Sequence, residues 1–95
     1  MVLDERDRIH LNLQTIRDYL VKGFVGFQLT EDASDPTVCH RFTMTDLKTF
    51  QQYKLKVSWS RLGELTNSAE KLAHSLVDTD VASKMREAKG HYWHW

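Results

Sequence analysis

Cysteine, proline and glycine are scarce in this chain, and it has no net charge. Its 95 residues include one cysteine, one proline and four glycines, and 13 basic side chains balance 13 acidic ones. The single Cys39 excludes an internal disulfide and favours a reducing compartment. The four scattered glycines exclude a glycine-rich phosphate loop. The balanced charge leaves no global field that would favour nucleic acid or an anionic membrane, so any charged patch has to be local.

Long apolar runs are also missing. No stretch approaches the ~20 apolar residues of a membrane-spanning helix. The first residues, MVLDERDR, are charged where a signal peptide carries its apolar core. We therefore expect a soluble, cytoplasmic protein without a membrane partner. The length suits a single domain over residues 1–95 with one modest core.

The first half of the chain predicts a helix followed by a β-hairpin. Apolar residues recur at helical spacing over about residues 4–22. Over residues 24–30 and 37–44, apolar residues recur at every second position, and the polar loop EDASDP lies between the two segments. This pattern predicts two antiparallel strands. An isolated hairpin is marginally stable in water. We expect this one to pack on the helices or to complete a sheet across a dimer interface.

The second half is dominated by a segment over about residues 46–77. Its second half carries a helical apolar stripe that runs from Leu62 to Leu76. Over residues 53–59 a strand-like alternation competes with the helical pattern. No Gly, Pro or Asn lies between Phe50 and Arg61, which favours a continuous or kinked helix capped by Thr45, with Leu47 and Phe50 facing inward. A strand that interrupts the helix near 53–59 is the alternative.

A short helix over about residues 80–89 and an aromatic tail, HYWHW at 91–95, complete the chain. The predicted fold class is therefore α+β: an N-terminal helix, a β-hairpin, a long helix that is continuous or broken, and a short C-terminal helix.

The sequence contains no catalytic signature. Cys39 and His40 offer a thiol beside an imidazole, but adjacent residues of a strand point to opposite faces. Ser75 lies about 100° around the predicted helix from His74, so these two and Asp78 do not form a hydrolytic triad. Neither GxSxG nor HExxH occurs. We expect no enzymatic activity and no cofactor.

The aromatic tail and the hairpin edge favour protein recognition. We interpret the chain first as a non-catalytic interaction module, a regulator or an inhibitor, that binds a protein partner or itself as a homodimer or larger assembly. The candidate contact residues are Tyr92, Trp93, Trp95 and Phe24.

Two alternatives remain open at this point. Lys54, Lys56 and Arg61, with Tyr53 among them, have the composition of a nucleic-acid surface, in which cations neutralise phosphates and aromatic rings stack on bases. His91 and His94 are three residues apart, which on a helical turn would direct both imidazoles at one transition metal. Two histidines do not complete a zinc site, so that alternative needs further ligands from elsewhere in the fold.

Overall fold

The computed structural model describes residues 5–32, 39–59, 62 and 69–95. It is an α+β domain, as the sequence predicts, and its described elements follow in the order α1 (Glu5–Gly23), β1 (Phe27–Asp32), β2 (Cys39–Asp46), β3 (Gln52–Ser58), α2 (Ala69–Thr79), α3 (Val81–Glu87) and β4 (Tyr92–His94). No helix among the described residues is long and apolar enough to cross a membrane.

The four strands form one sheet in the order β1-β2-β3-β4. β1 pairs antiparallel with β2, and β2 pairs antiparallel with β3. β4 pairs parallel with β3, after the chain has passed through α2 and α3. Parallel neighbours need such a crossover connection, which explains why the last strand follows the helices.

One face of the sheet and the helices share the core. Because side chains alternate along a strand, Phe42 and Met44 of β2 and Leu55 and Val57 of β3 point to the same side, where all four are fully buried. Phe24, just after α1, belongs to the same buried apolar cluster, and the helices contribute eight more members: Leu13, Ile16, Leu20, Leu72, Leu76, Val81, Ala82 and Met85. Leu62 is also fully buried, and its carbonyl oxygen accepts a 2.7 Å hydrogen bond from Asn12 Nδ2.

The preference for a continuous helix after Asp46 is wrong, because residues Gln52–Ser58 form β3. Leu55 and Val57 are buried on the core side, while Lys54 and Lys56 lie on the other side. The alternation over 53–59 was therefore the correct signal. A full strand partner in β2 supplies backbone hydrogen bonds and apolar contacts that outweigh local helix preference.

An aspartate forms the turn between β2 and β3, where the sequence has no glycine or proline. Asp46 ends β2 instead of beginning a helix, so the cap assigned to Thr45 is also wrong. The Asp46 carboxylate accepts hydrogen bonds from the backbone N–H groups of Lys48, at 2.8 Å, and Thr49, at 3.3 Å. Phe50 closes the turn with a left-handed backbone (φ 62°). Such side-chain-to-backbone bonds turn the chain without glycine or proline.

Leu47 and Phe50 do not face inward. They are 58% and 75% exposed at the end of this turn. The expected inward orientation followed from the helix assignment, and it fails with that assignment.

Other boundaries differ from the predictions by a few residues or by element type. The first strand begins at Phe27 and not at residue 24, because Gly26 (φ 84°) turns the chain after α1. Glu31 and Asp32 belong to β1. The rest of the predicted loop, residues 33–36, and the first two residues of the predicted second strand, 37–38, lie outside the described residues. The tail forms β4 through Tyr92–His94. The sheet is thus extended within one chain, which removes the argument that the hairpin needs a second copy.

Candidate functional site on the open face of the sheet

We call the side of the sheet opposite the core the open face. It carries Arg41 on β2, Lys54 and Lys56 on β3, and Tyr92 and His94 on β4. The register fixes this grouping, because Arg41 pairs with Lys56, Lys54 with Tyr92, and Lys56 with His94. Directly paired residues of neighbouring strands share a face. The buried apolar residues of the described helices all belong to the core cluster, on the other side of the sheet.

Three cations converge on one aromatic ring of the open face, that of Tyr92 on the edge strand β4. Lys56 Nζ lies 4.7 Å from the centroid of the Tyr92 ring, Lys54 Nζ lies 5.2 Å from it, and Arg41 Cζ lies 5.8 Å from it. All three distances are within the ≈ 6 Å range of cation–π attraction. The ring therefore holds together three like charges that repel one another, and negative ligand charge would relieve that repulsion.

The local charge is positive although the whole chain is neutral. Asp32 lies opposite Arg41 in the register, and its Oδ2 is 3.6 Å from Arg41 Nη1. The Asp32 side chain is 55% exposed, so water screens this pair strongly. Among the described residues, three cations and one carboxylate leave an excess of two positive charges on the face.

A pocket lies where β2 begins and where β3 and β4 end. We call it the end pocket. It is a cavity of about 230 Å³ lined by Cys39, Lys56, Ser58, His94 and Trp95. Cys39 pairs directly with Ser58, and Lys56 pairs with His94, so four of the five belong to the open-face side of three strands. Lys56 contributes to both the pocket and the ring cluster.

The structure separates the residues predicted for nucleic-acid binding. Lys54 and Lys56 lie together on the open face, whereas Tyr53 points to the core side, where its ring centroid is 5.8 Å from Phe24 and 5.9 Å from Phe27. Arg61 lies outside the described residues. Tyr92 occupies the position beside the lysines that Tyr53 was expected to fill. This replacement could not be predicted from the sequence, because local patterns do not reveal which strand lies beside β3.

The residues predicted for protein binding also divide. Phe24 is 1% exposed in the core, with the Arg86 guanidinium 4.4 Å from its ring centroid. Trp93 pairs with Leu55 on the core side, and both Trp93 and Trp95 pack against the core cluster. Phe24 is thus too buried to touch a partner, and the tail docks on its own domain. Of the four residues, Tyr92 is the one placed on the open face.

His91 and His94 do not lie on a helical turn, because His91 is in a bend and His94 is in a strand. His91 precedes β4 and His94 is its last residue. The helical spacing on which the metal prediction relied is therefore not present. Within the described parts of the chain, no group of three or more His, Cys, Asp or Glu side chains is placed to hold a metal.

An ion network lies on the core side near the far end of β1. Glu31 Oε2 is 2.7 Å from Arg17 Nε, and Glu31 Oε1 is 2.9 Å from His40 Nε2. Burial is the largest single influence on this carboxyl and opposes its ionisation, but the hydrogen bonds and charges of Arg17 and His40 together lower the pKa of Glu31. His40 and Cys39 lie on opposite faces, so they do not form a dyad. The network ties α1 to the sheet.

No protein-family model, curated protein or solved structure matches this chain, so the chemistry of its own residues carries the functional argument.

Proposed function

We propose that the protein binds single-stranded nucleic acid on the open face of the sheet. The observation that carries this proposal is the convergence of Lys54, Lys56 and Arg41 on the Tyr92 ring. It is a revised form of the basic-aromatic hypothesis from the sequence, with Tyr92 in place of Tyr53 and Arg41 as a further cation.

The cluster supplies the two interactions that a single strand requires. The ammonium and guanidinium groups attract phosphates and displace condensed counterions. An aromatic ring on a sheet surface offers a stacking partner to an unpaired base, whatever the base, because every base has a π-face. A duplex hides its base faces, so it gains from the cations alone. The proposal therefore predicts preference for single strands over duplex.

The proposal is tested by fluorescence anisotropy of a labelled mixed-sequence oligonucleotide at low salt. Wild-type protein should bind the single strand more tightly than the same sequence as a duplex. Tyr92→Leu should weaken single-strand binding about tenfold, the factor expected for loss of one stacked base. Tyr53→Phe is the matched control, because Tyr53 is on the core side, and it should bind like wild type.

Two further arms make the outcome decisive. Tyr92→Phe keeps the ring and should retain binding, which separates stacking from loss of the hydroxyl. Absence of any anisotropy change with wild-type protein at low salt would refute the proposal, because phosphate attraction is strongest there.

Protein recognition is the second candidate, and one surface feature favours it. Val25, Leu47 and Phe50 are 83%, 58% and 75% exposed. They lie at one end of the sheet, because Phe27 pairs with Asp46 and brings the two turns together. We call these three side chains the apolar tip. Exposed Lys48 lies in the same turn, so the tip fits an apolar pocket bordered by carboxylates on a partner protein.

Comparison of variants tests this second candidate. A partner that copurifies with wild type should be lost with Phe50→Ser and kept with Lys54→Ala. Self-association through the tip would raise the mass seen by light scattering as concentration increases, and Phe50→Ser would abolish that rise. Identical partners and masses for wild type and Phe50→Ser would remove the tip from consideration.

A further inference from the structure

The end pocket is continuous with the ring cluster and differs from it in shape and chemistry. The Tyr92 ring offers a flat surface, whereas the pocket is concave, with about 230 Å³ of space between Cys39 and Trp95. Lys56 joins the two, since its Nζ lies 4.7 Å from the Tyr92 ring centroid and its side chain also lines the pocket. A strand that crosses the ring cluster therefore reaches the pocket without leaving the sheet.

We propose that the end pocket receives one unstacked nucleobase of the bound strand, next to the base that stacks on Tyr92. This inference rests on the proposed function. It extends that function from sequence-tolerant stacking to recognition of a base at one position, because flat stacking does not distinguish the bases whereas a lined pocket does.

The pocket lining suits a base. Trp95 and the Cys39 side chain supply the apolar surface against which a planar ring packs. The Ser58 hydroxyl donates or accepts a hydrogen bond, and the His94 imidazole does so through either nitrogen, so both can contact the polar edge of a base. Lys56, at the mouth, is placed to contact the adjoining phosphate. Apolar walls with a few polar groups are the usual composition of ligand pockets.

The size of the pocket limits what it can hold. The cavity has a volume of about 230 Å³. That space is below the ≈ 300–1,000 Å³ of typical drug-sized sites. A pocket of this size suits one base, so we expect it to select a single position of the strand.

Binding of homo-oligonucleotides tests the inference. Anisotropy titrations with equal lengths of oligo-A, oligo-C, oligo-G and oligo-U should give at least about a tenfold range of affinity in wild type. Ser58→Leu places a larger apolar side chain in the pocket and leaves the ring cluster unchanged. It should reduce that range to about twofold and keep the salt-dependent binding. A thermal melt close to that of wild type establishes that this variant folds. If it does not fold, Ser58→Ala replaces it and should reduce the range of affinities by a smaller factor.

Photo-cross-linking supplies a readout that does not depend on affinity. An oligonucleotide with 5-iodouridine at successive positions should cross-link to Trp95 at one position and to Tyr92 at a neighbouring one, identified by mass spectrometry. Equal affinity for all four homo-oligonucleotides, or cross-links to Tyr92 without any to Trp95, would overturn the pocket and leave the proposed function standing. Absence of binding by every oligonucleotide would refute the proposed function itself.

Discussion

Removal of Lys56 gives the sharpest quantitative test of the open face. Lys56 is the cation closest to the Tyr92 ring and the only one that also lines the end pocket among the described residues. If Arg41, Lys54 and Lys56 each neutralise one phosphate, the slope of log K against log salt for a single strand is about −0.7 per cation, or about −2.1 in total. Affinity should then fall about 18-fold between 50 and 200 mM salt.

In Lys56→Ala two cations remain, so the slope should be about −1.4 and the same change of salt should weaken binding about sevenfold. The assay is an anisotropy titration at four or more salt concentrations. Lys84→Ala is the matched control: this lysine lies on α3 and is 46% exposed beside Glu87, and its loss should leave the slope unchanged. A Lys56→Ala slope equal to that of wild type would refute the role of the ring cluster in phosphate binding.

Three further predictions concern stability. Phe42→Ala should cost about 3–5 kcal/mol in chemical denaturation, because Phe42 is fully buried in the core, whereas Gln28→Ala on the exposed side of β1 should change stability little. Phe50→Gly should stabilise the fold by about 0.5–1 kcal/mol, because glycine relieves left-handed strain of about 1–2 kcal/mol at a smaller entropic cost, and Leu47→Gly should not stabilise it. The pKa of Glu31 is lowered in the folded protein, so its ionised carboxylate stabilises the fold above about pH 4.5, and this stabilisation is lost as pH falls through the folded-state pKa. In Glu31→Gln the melting temperature should therefore fall less steeply below pH 4.5.

Each of these predictions has a contrary result. Equal losses for Phe42→Ala and Gln28→Ala would contradict the assignment of the core face of β2. Destabilisation by Phe50→Gly would mean that the exposed ring contributes more than the strained backbone costs. An unchanged acid profile in Glu31→Gln would show that the carboxylate gains nothing from its two basic neighbours in the folded protein.

Local sequence patterns were sufficient to predict an element's type where its apolar residues recur at regular spacing within that element. The helical stripe of α1 and the alternation of β1 and β2 are repeated within single segments, so they predict element type without knowledge of the neighbours. Asp80, between α2 and α3, is left-handed (φ 56°) and interrupts the helices at the position that the sequence indicated. These assignments needed nothing beyond spacing and turn chemistry.

The candidate site was less accessible to sequence reasoning. The lysines of the open face were found from their composition, but their aromatic partner was not, because Tyr92 is 36 residues away from Lys56 along the chain and meets it only through pairing of β4 with β3. The end pocket was invisible for the same reason. Its lining comes from three strands, and the sequence predicts just one of these as a strand without ambiguity.

The sequence by itself therefore determined the α+β class, the first helix, the hairpin strands and the presence of a local cationic segment, since each is written in the spacing or composition of adjacent residues. Tertiary structure decided that residues 52–58 are a strand, that the aromatic tail pairs with it, and that three cations share the Tyr92 ring. The physical reason is that strand pairing is satisfied by hydrogen bonds between distant segments. A segment whose sequence is compatible with both helix and strand becomes a strand when neighbouring strands pair with it.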